Sequence, residues 1–206
     1  MARRQPLEIR WSTRDPDILA ARLGLFGMAV GADGRISFPS ASIRLTSDPG
    51  RDDRLHVSDP PRQALPGDPR LSDGADVLAL GWATVDRDRV IAAAGAIEPA
   101  PAEALAGDPH LGAFVVRLGL TVPARLVIEP DREGRLAATL ARLGEGPVAI
   151  YLSTGPGGLQ AYVAGVRARG AEVSAARPGP LGPSVVLLGG PIWGPHLLVV
   201  EAGPPA

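Results

Sequence analysis

The chain contains no cysteine, no lysine and no asparagine. Without thiols there can be no disulfide, no thiolate nucleophile, no Cys-type zinc site and no iron–sulfur cluster. Without lysine there is no Schiff-base amine and no P-loop cation; all 21 basic residues are arginine, as a GC-rich genome would favour. Without asparagine there is no N-glycosylation acceptor. Aromatic residues make up only 4% and histidines number three. The formal net charge of −1 leaves no overall electrostatic footprint for nucleic acid. The most apolar tract, PSVVLLGGPIWGPHLLVVE, is broken by Gly189, Gly190, Pro191, Gly194, Pro195 and His196. It reads as two short strands around a turn, not as a membrane span. The opening MARRQPLEIRW lacks an apolar core of the secretory type. A cytoplasmic chain with no membrane partner is expected.

What is present suits a globular chain: 206 residues, 45% of them hydrophobic, enough to bury a core. Three segments begin alike. LEIRWST (Leu7 to Thr13), LALGWAT (Leu78 to Thr84) and VAIYLST (Val148 to Thr154) are β-prone runs, each followed by a turn and a helical pattern. Asp15 with Pro16 forms an N-cap and first-turn pair, and Asp86 can cap the second helix. In the third, Leu159, Val163 and Val166 share one stripe and Gly170 sits where a C-terminal left-handed residue belongs. A further helix carries Leu136, Leu140 and Leu143. The strand-like runs that follow are GMAV, RISF and SIRLTS in the first copy, AFVVRLGL and ARLVIEP in the second, and AEVSAA, SVVLL and HLLVVE in the third. The segment from Asp48 to Gly74 reads as a polar surface linker with room for one short strand. EPAPAEALAGDPH reads as an insert in the middle copy.

A repeated βαβββ unit, joined through Glu129-Pro130, a helix, Gly144-Glu145-Gly146 and VAIYLST, resembles the vicinal oxygen chelate superfamily. The likeness is to epimerase-like members, from about Asp76 to Glu201. It implies an α+β fold: βαβββ modules forming a cup-shaped mixed sheet, with helices outside. The modules expected are residues 1–47, a linker 48–75, then 76–146 and 147–206 as a pair. In that family a divalent metal sits in the cup on His, Glu or Gln ligands. Carried over, the ligand positions fall on Ala79, Leu126, Ala149 and Leu198. Alkyl groups donate nothing to a hard or borderline cation, so no metal and no cofactor are expected.

Period-two alternation turns Tyr151, Ser153 and His196 into the same cup. The candidate binding face is therefore Ala79, Leu126, Ala149, Tyr151, Ser153, His196 and Leu198, fit for a small, largely apolar molecule. Two rivals stand beside it: an isomerase or lyase using His196, Tyr151 or Glu8, and a structural module whose cup is filled. Glu8 shares the repeat position of Ala79 and Ala149 and is read as an exposed strand residue. His110 falls in a loop and His56 in the linker. Trp11 and Trp82 are read as core, facing the helices, and Trp193 as partly exposed at a ligand entrance. STGPGGLQ is read as a turn, since it lacks the full spacing of a phosphate loop. The first module must bury its apolar face on the outside of the pair or against the same module of a second chain, and two-fold symmetry favours the second, a homodimer.

Overall fold

The computed structural model describes residues 7–58, 75–97, 101–121, 123–154 and 158–201. The ends of the chain, most of the Asp48 to Gly74 linker, and the three residues before Gly158 in the glycine-rich turn lie outside them.

Eight strands form one sheet. β5 (Val77–Ala83), α2 (Arg87–Ile97), β6 (Ala102–Asp108), β7 (Ala113–Leu118) and β8 (Ala124–Pro130) are one βαβββ unit. After α3 (Arg135–Leu143) comes a second: β9 (Gly146–Ser153), α4 (Gly158–Ala168), β10 (Arg177–Gly179), β11 (Gly182–Val186) and β12 (His196–Val200). The sheet order is β10-β11-β12-β9-β5-β8-β7-β6. First and last strands of each unit pair in parallel, and β5 meets β9 antiparallel at the centre. Edge strands β6 and β10 approach each other, so the sheet curls into a nearly closed cup. The class is α+β with the helices peripheral. No described helix is long and apolar enough to cross a membrane.

The register makes the internal repeat geometric. Ala79 opposes Tyr151 while Gly81 opposes Ala149. Gly81 neighbours Leu126, and Tyr151 neighbours Leu198. A pseudo-two-fold axis at the centre thus exchanges Ala79 with Ala149, Gly81 with Tyr151, and Leu126 with Leu198.

The first unit is shorter. β1 (Leu7–Thr13), α1 (Pro16–Leu25), β2 (Arg35–Ser37), β3 (Ala41–Ser47) and β4 (Arg54–Ser58) form a separate sheet in the order β2-β3-β1-β4. β1 and β3 pair in parallel, as β5 and β8 do, so one strand of the full unit is missing. GMAV is not a strand: Met28 donates its N–H back to the Leu23 carbonyl and closes the end of α1. AEVSAA is reduced to a single bridge, Val173 to Leu187. β4 comes from the linker and lies antiparallel to β1, where β9 lies beside β5. The Ala-rich insert likewise supplies a strand, β6, held by β7 despite its weak local propensity.

The first unit's apolar face is covered within its own chain. Ile9, Trp11, Ile43 and Leu55 share a core with Ile150, Leu152, Val166 and Leu197 on the outside of the cup. Tyr162 of α4 and Arg169 just past its end donate hydrogen bonds to the last carbonyls of α1, Phe26 O at 3.0 Å and Leu25 O at 2.8 Å. Ser40 donates to Asp76 through both N–H and hydroxyl, at 2.9 and 2.6 Å. The apolar face that suggested two-fold pairing has its cover here.

Candidate functional site

The cup interior is built from one face of each strand. Ala79, Leu126, Ala149, Tyr151 and Leu198 each have 0% of their surface exposed, and Leu111, Ile128, Leu136 and Val200 fill the space among them. Tyr151 dominates. Its symmetry mate is Gly81, and a Cβ there would lie 3.0 Å from Ala149 Cβ, 3.0 Å from Ile128 Cδ1 and 3.4 Å from the Tyr151 ring. The two half-cups are therefore complementary, a tyrosine from one reaching across the space left by a glycine in the other.

The tyrosine hydroxyl is satisfied by a residue that lies in the insert. It donates to Asp108 Oδ2 at 2.8 Å. Asp108 is itself 1% exposed, and its Oδ1 accepts from the N–H groups of His110 and Leu111. Burial first, then the adjacent carboxylate, raise the Tyr151 pKa well above the usual phenol value. Tyr151 is thus a fixed donor in a buried site.

His196 lies at the head of β12, 3% exposed. Its Nε2 is 2.9 Å from Thr139 Oγ1, and that hydroxyl donates onward to the Arg135 carbonyl. The hydroxyl proton being committed, the imidazole Nε2–H donates. Burial, then Arg135, lower its pKa to about 3. Gly194 folds over the ring with φ 82; a Cβ there would lie 2.9 Å from Nε2. Ser153 is not part of the central packing: it accepts from the Asp76 N–H at 2.7 Å and pins β9 to the start of β5.

The remaining candidates scatter. Glu8 is buried, not exposed, because Arg35 reaches it at 3.2 Å. Trp11 is core, but Trp82 is 46% exposed, since no described side chain of α2 is buried over it. Trp193 is half-buried under the Arg142 guanidinium, 5.6 Å from its ring centre. His110 holds the Ser184 carbonyl at 2.8 Å, and His56 is exposed on β4. Glu145 of Gly144-Glu145-Gly146 is a brace: it accepts from Thr84 Oγ1, the Val85 N–H and Arg89, which lower its pKa to about 2. Asp108 and Thr139 carry no local signal of their role, because their partners lie far along the chain.

The residues at the family's four ligand positions do not fit a metal. Ala79, Leu126, Ala149 and Leu198 offer no donor and share one apolar core. Among the described residues no group of three or more His, Cys, Asp or Glu is placed to hold one.

No family model matches the chain, and no curated protein matches it in sequence. Solved structures do. A hypothetical protein, BH1468 from Bacillus halodurans C-125, superposes with a TM-score of 0.54 at 17% identity, covering 64% of this chain and 97% of its own. Methylmalonyl-CoA epimerase from Mycobacterium tuberculosis gives 0.53 at 19%, covering 62% and 88%. At such identities the likeness concerns fold. With the paired units, their register and the cup, it establishes that this chain has the vicinal oxygen chelate fold.

Proposed function

We propose that the paired units act as a scaffold rather than a metal-assisted catalyst, their cup closed by its own side chains. The observation that supports this reading is the packing of Tyr151 into the space left by Gly81. A ligand in the cup would have to displace Tyr151 and break its bond to Asp108. An isomerase or lyase reading is weakened in the same way: His196 is neutral and bound to Thr139, Tyr151 to Asp108, and Glu8 to Arg35.

Cavity creation tests this. Leu198→Ala, which opens the same core without unpairing Asp108, should leave a void that takes small apolar probes such as benzene, seen as a rise in melting temperature, while wild type shows none. Dialysis against zinc, nickel or manganese should leave no stoichiometric ion. A wild-type protein that binds an apolar probe, and loses it in Ala149→Trp, would defeat the reading and restore the cup as a binding site. Assembly follows the same logic. With the first unit's apolar face covered by its own chain, a homodimer through that face has lost its reason, and light scattering should give one chain mass.

A further inference from the structure

The first unit differs from the paired units in the face that corresponds to the cup. Register identifies the equivalent positions. Arg10 pairs with Arg44 as Gly81 pairs with Leu126 and Tyr151 with Leu198. Where the paired units carry packed apolar side chains and a glycine, the first unit carries two arginines, both exposed. The row continues on both sides: Arg44 also pairs with Arg35 on β2, and Arg10 with His56 on β4. All four cross-paired residues of this row stand on one face, because partners in register share a side of the sheet.

Such a row is unfavourable by itself. Directly opposed side chains lie about 5 Å apart at Cβ, and like charges at that distance repel. Nothing in the fold requires arginine here, since the apolar work of this sheet is done on the other face by Ile9, Trp11, Ile43 and Leu55. Glu8 and Asp33 both offset Arg35, at 3.2 and 3.8 Å.

The basic surface continues around the end of β1 into a cleft of about 360 Å³ lined by Arg14, Gly50, Arg51, Asp52, Arg54 and Arg142. The cleft is open to solvent and lined almost wholly by polar groups, unlike an apolar ligand pocket. Arg54 pairs with Ser12 on β1, on the same face as the row. Among the described residues Asp52 is the single carboxylate in the cleft's lining, and it is taken up by Arg142 at 2.7 and 3.2 Å. The Asp52 carboxyl is held below the usual range, first by that hydrogen bond and then by the charges of Arg142, Arg14 and Arg54.

We propose that this face, the arginine row together with the cleft at its edge, binds a small, multiply charged oxyanion of the phosphate or carboxylate type. Guanidinium groups present fixed forks that match such oxygens; Arg14, Arg51, Arg54 and Arg142 line one cleft, where Arg51 also meets Asp48 at 4.0 Å and Arg142 meets Asp52. Four strands about 4.8 Å apart spread the row over roughly 14 Å, longer than a single phosphate and suited to an anion with two or more charged groups. This binding site goes beyond the scaffold reading and would survive its failure, since the two faces belong to different sheets.

Calorimetric titration of the full chain at low ionic strength, with inorganic pyrophosphate and with citrate, tests it. At least one should bind saturably, one per chain, and which one binds identifies the oxyanion. Arg10→Ser and Arg44→Ser should each weaken it about tenfold or more, the order of one charge-assisted hydrogen bond. Arg54→Ser should do the same from the cleft end. Arg125→Ser, an exposed arginine on β8, should leave binding unchanged. Arg10 and Arg44 are exposed, so melting temperatures of their variants should stay near wild type and separate lost binding from lost folding. Failure of both anions to bind, or equal weakening by Arg125→Ser, would overturn the proposal.

Discussion

Gly81 and Tyr151 occupy the same place in two copies of one unit, and neither makes sense without the other. Adding a methyl group at Gly81 brings it to 3.0 Å from both Ala149 Cβ and Ile128 Cδ1, inside a core with no exposed surface to yield into. Gly81→Ala should cost about 1–3 kcal/mol, the usual range for overpacking. Ala149→Gly removes one of the two obstructing atoms, so the double variant should be more stable than the sum of the single effects, read from urea midpoints. His196 gives a second prediction at this scale. Its folded pKa of about 3 lies below the ordinary 6.5, so the unfolded chain takes up the proton first. The neutral ring's contribution is complete above about pH 6.5 and declines as pH falls toward 3, by about 1.4 kcal/mol per pH unit at most. His196→Gln keeps a donor for Thr139 but cannot titrate. Its urea midpoint should fall less than that of wild type as the pH drops from about 6.5 toward about 3, the window set by the two pKa values. Parallel curves would remove His196 from the acid response.

At the scale of elements, what is legible in the sequence is chemistry that closes locally. Asp15 accepts from the N–H groups of Asp17 and Ile18, with Pro16 beginning the helix. Asp86 accepts from the Arg89 N–H, and Gly170 has φ 78 at the end of α4. What is not legible depends on distant partners. β6 is made by its pairing with β7, and β4 by its pairing with β1, in stretches whose composition reads as linker. Trp82 reads as core by analogy with Trp11, yet no described side chain of α2 is buried, whereas Leu23 of α1 and Val166 of α4 are. The cup face follows from alternation, but its filling does not: Asp108 and Thr139 meet Tyr151 and His196 across long separations that no local pattern records. The uneven cover predicts uneven dynamics. Opening a segment costs little where few apolar contacts hold it. Amide hydrogens of α2 should exchange faster than those of α4, and β9 should be the slowest, as native-state hydrogen exchange can check; equal protection of the two helices would contradict the packing argument.

On the scale of the whole molecule, one sheet supports the other. The core shared by the first unit and the cup's outer face includes Ile9, Trp11, Leu19, Leu23 and Ile43 on one side, and Ile150, Leu152, Leu159, Val166 and Val199 on the other. Each buried side chain of this size contributes about 1.5–3 kcal/mol relative to exposure, so neither partner can lose the other without losing much of its stability. Polar ties reinforce the junction: Ser40 to Asp76, Tyr162 and Arg169 to the end of α1, Arg22 to the Gly189 carbonyl at 2.9 Å. The chain should therefore unfold in urea as one cooperative unit, with fluorescence of the tryptophans and far-ultraviolet circular dichroism giving the same midpoint. Removing residues 1 to 70 should expose the apolar strip of β9 and β12 and yield a chain that aggregates or melts well below the full-length protein. A truncated chain that stays monomeric, with an unchanged melting temperature, would mean that the two sheets fold independently and that their shared core adds little.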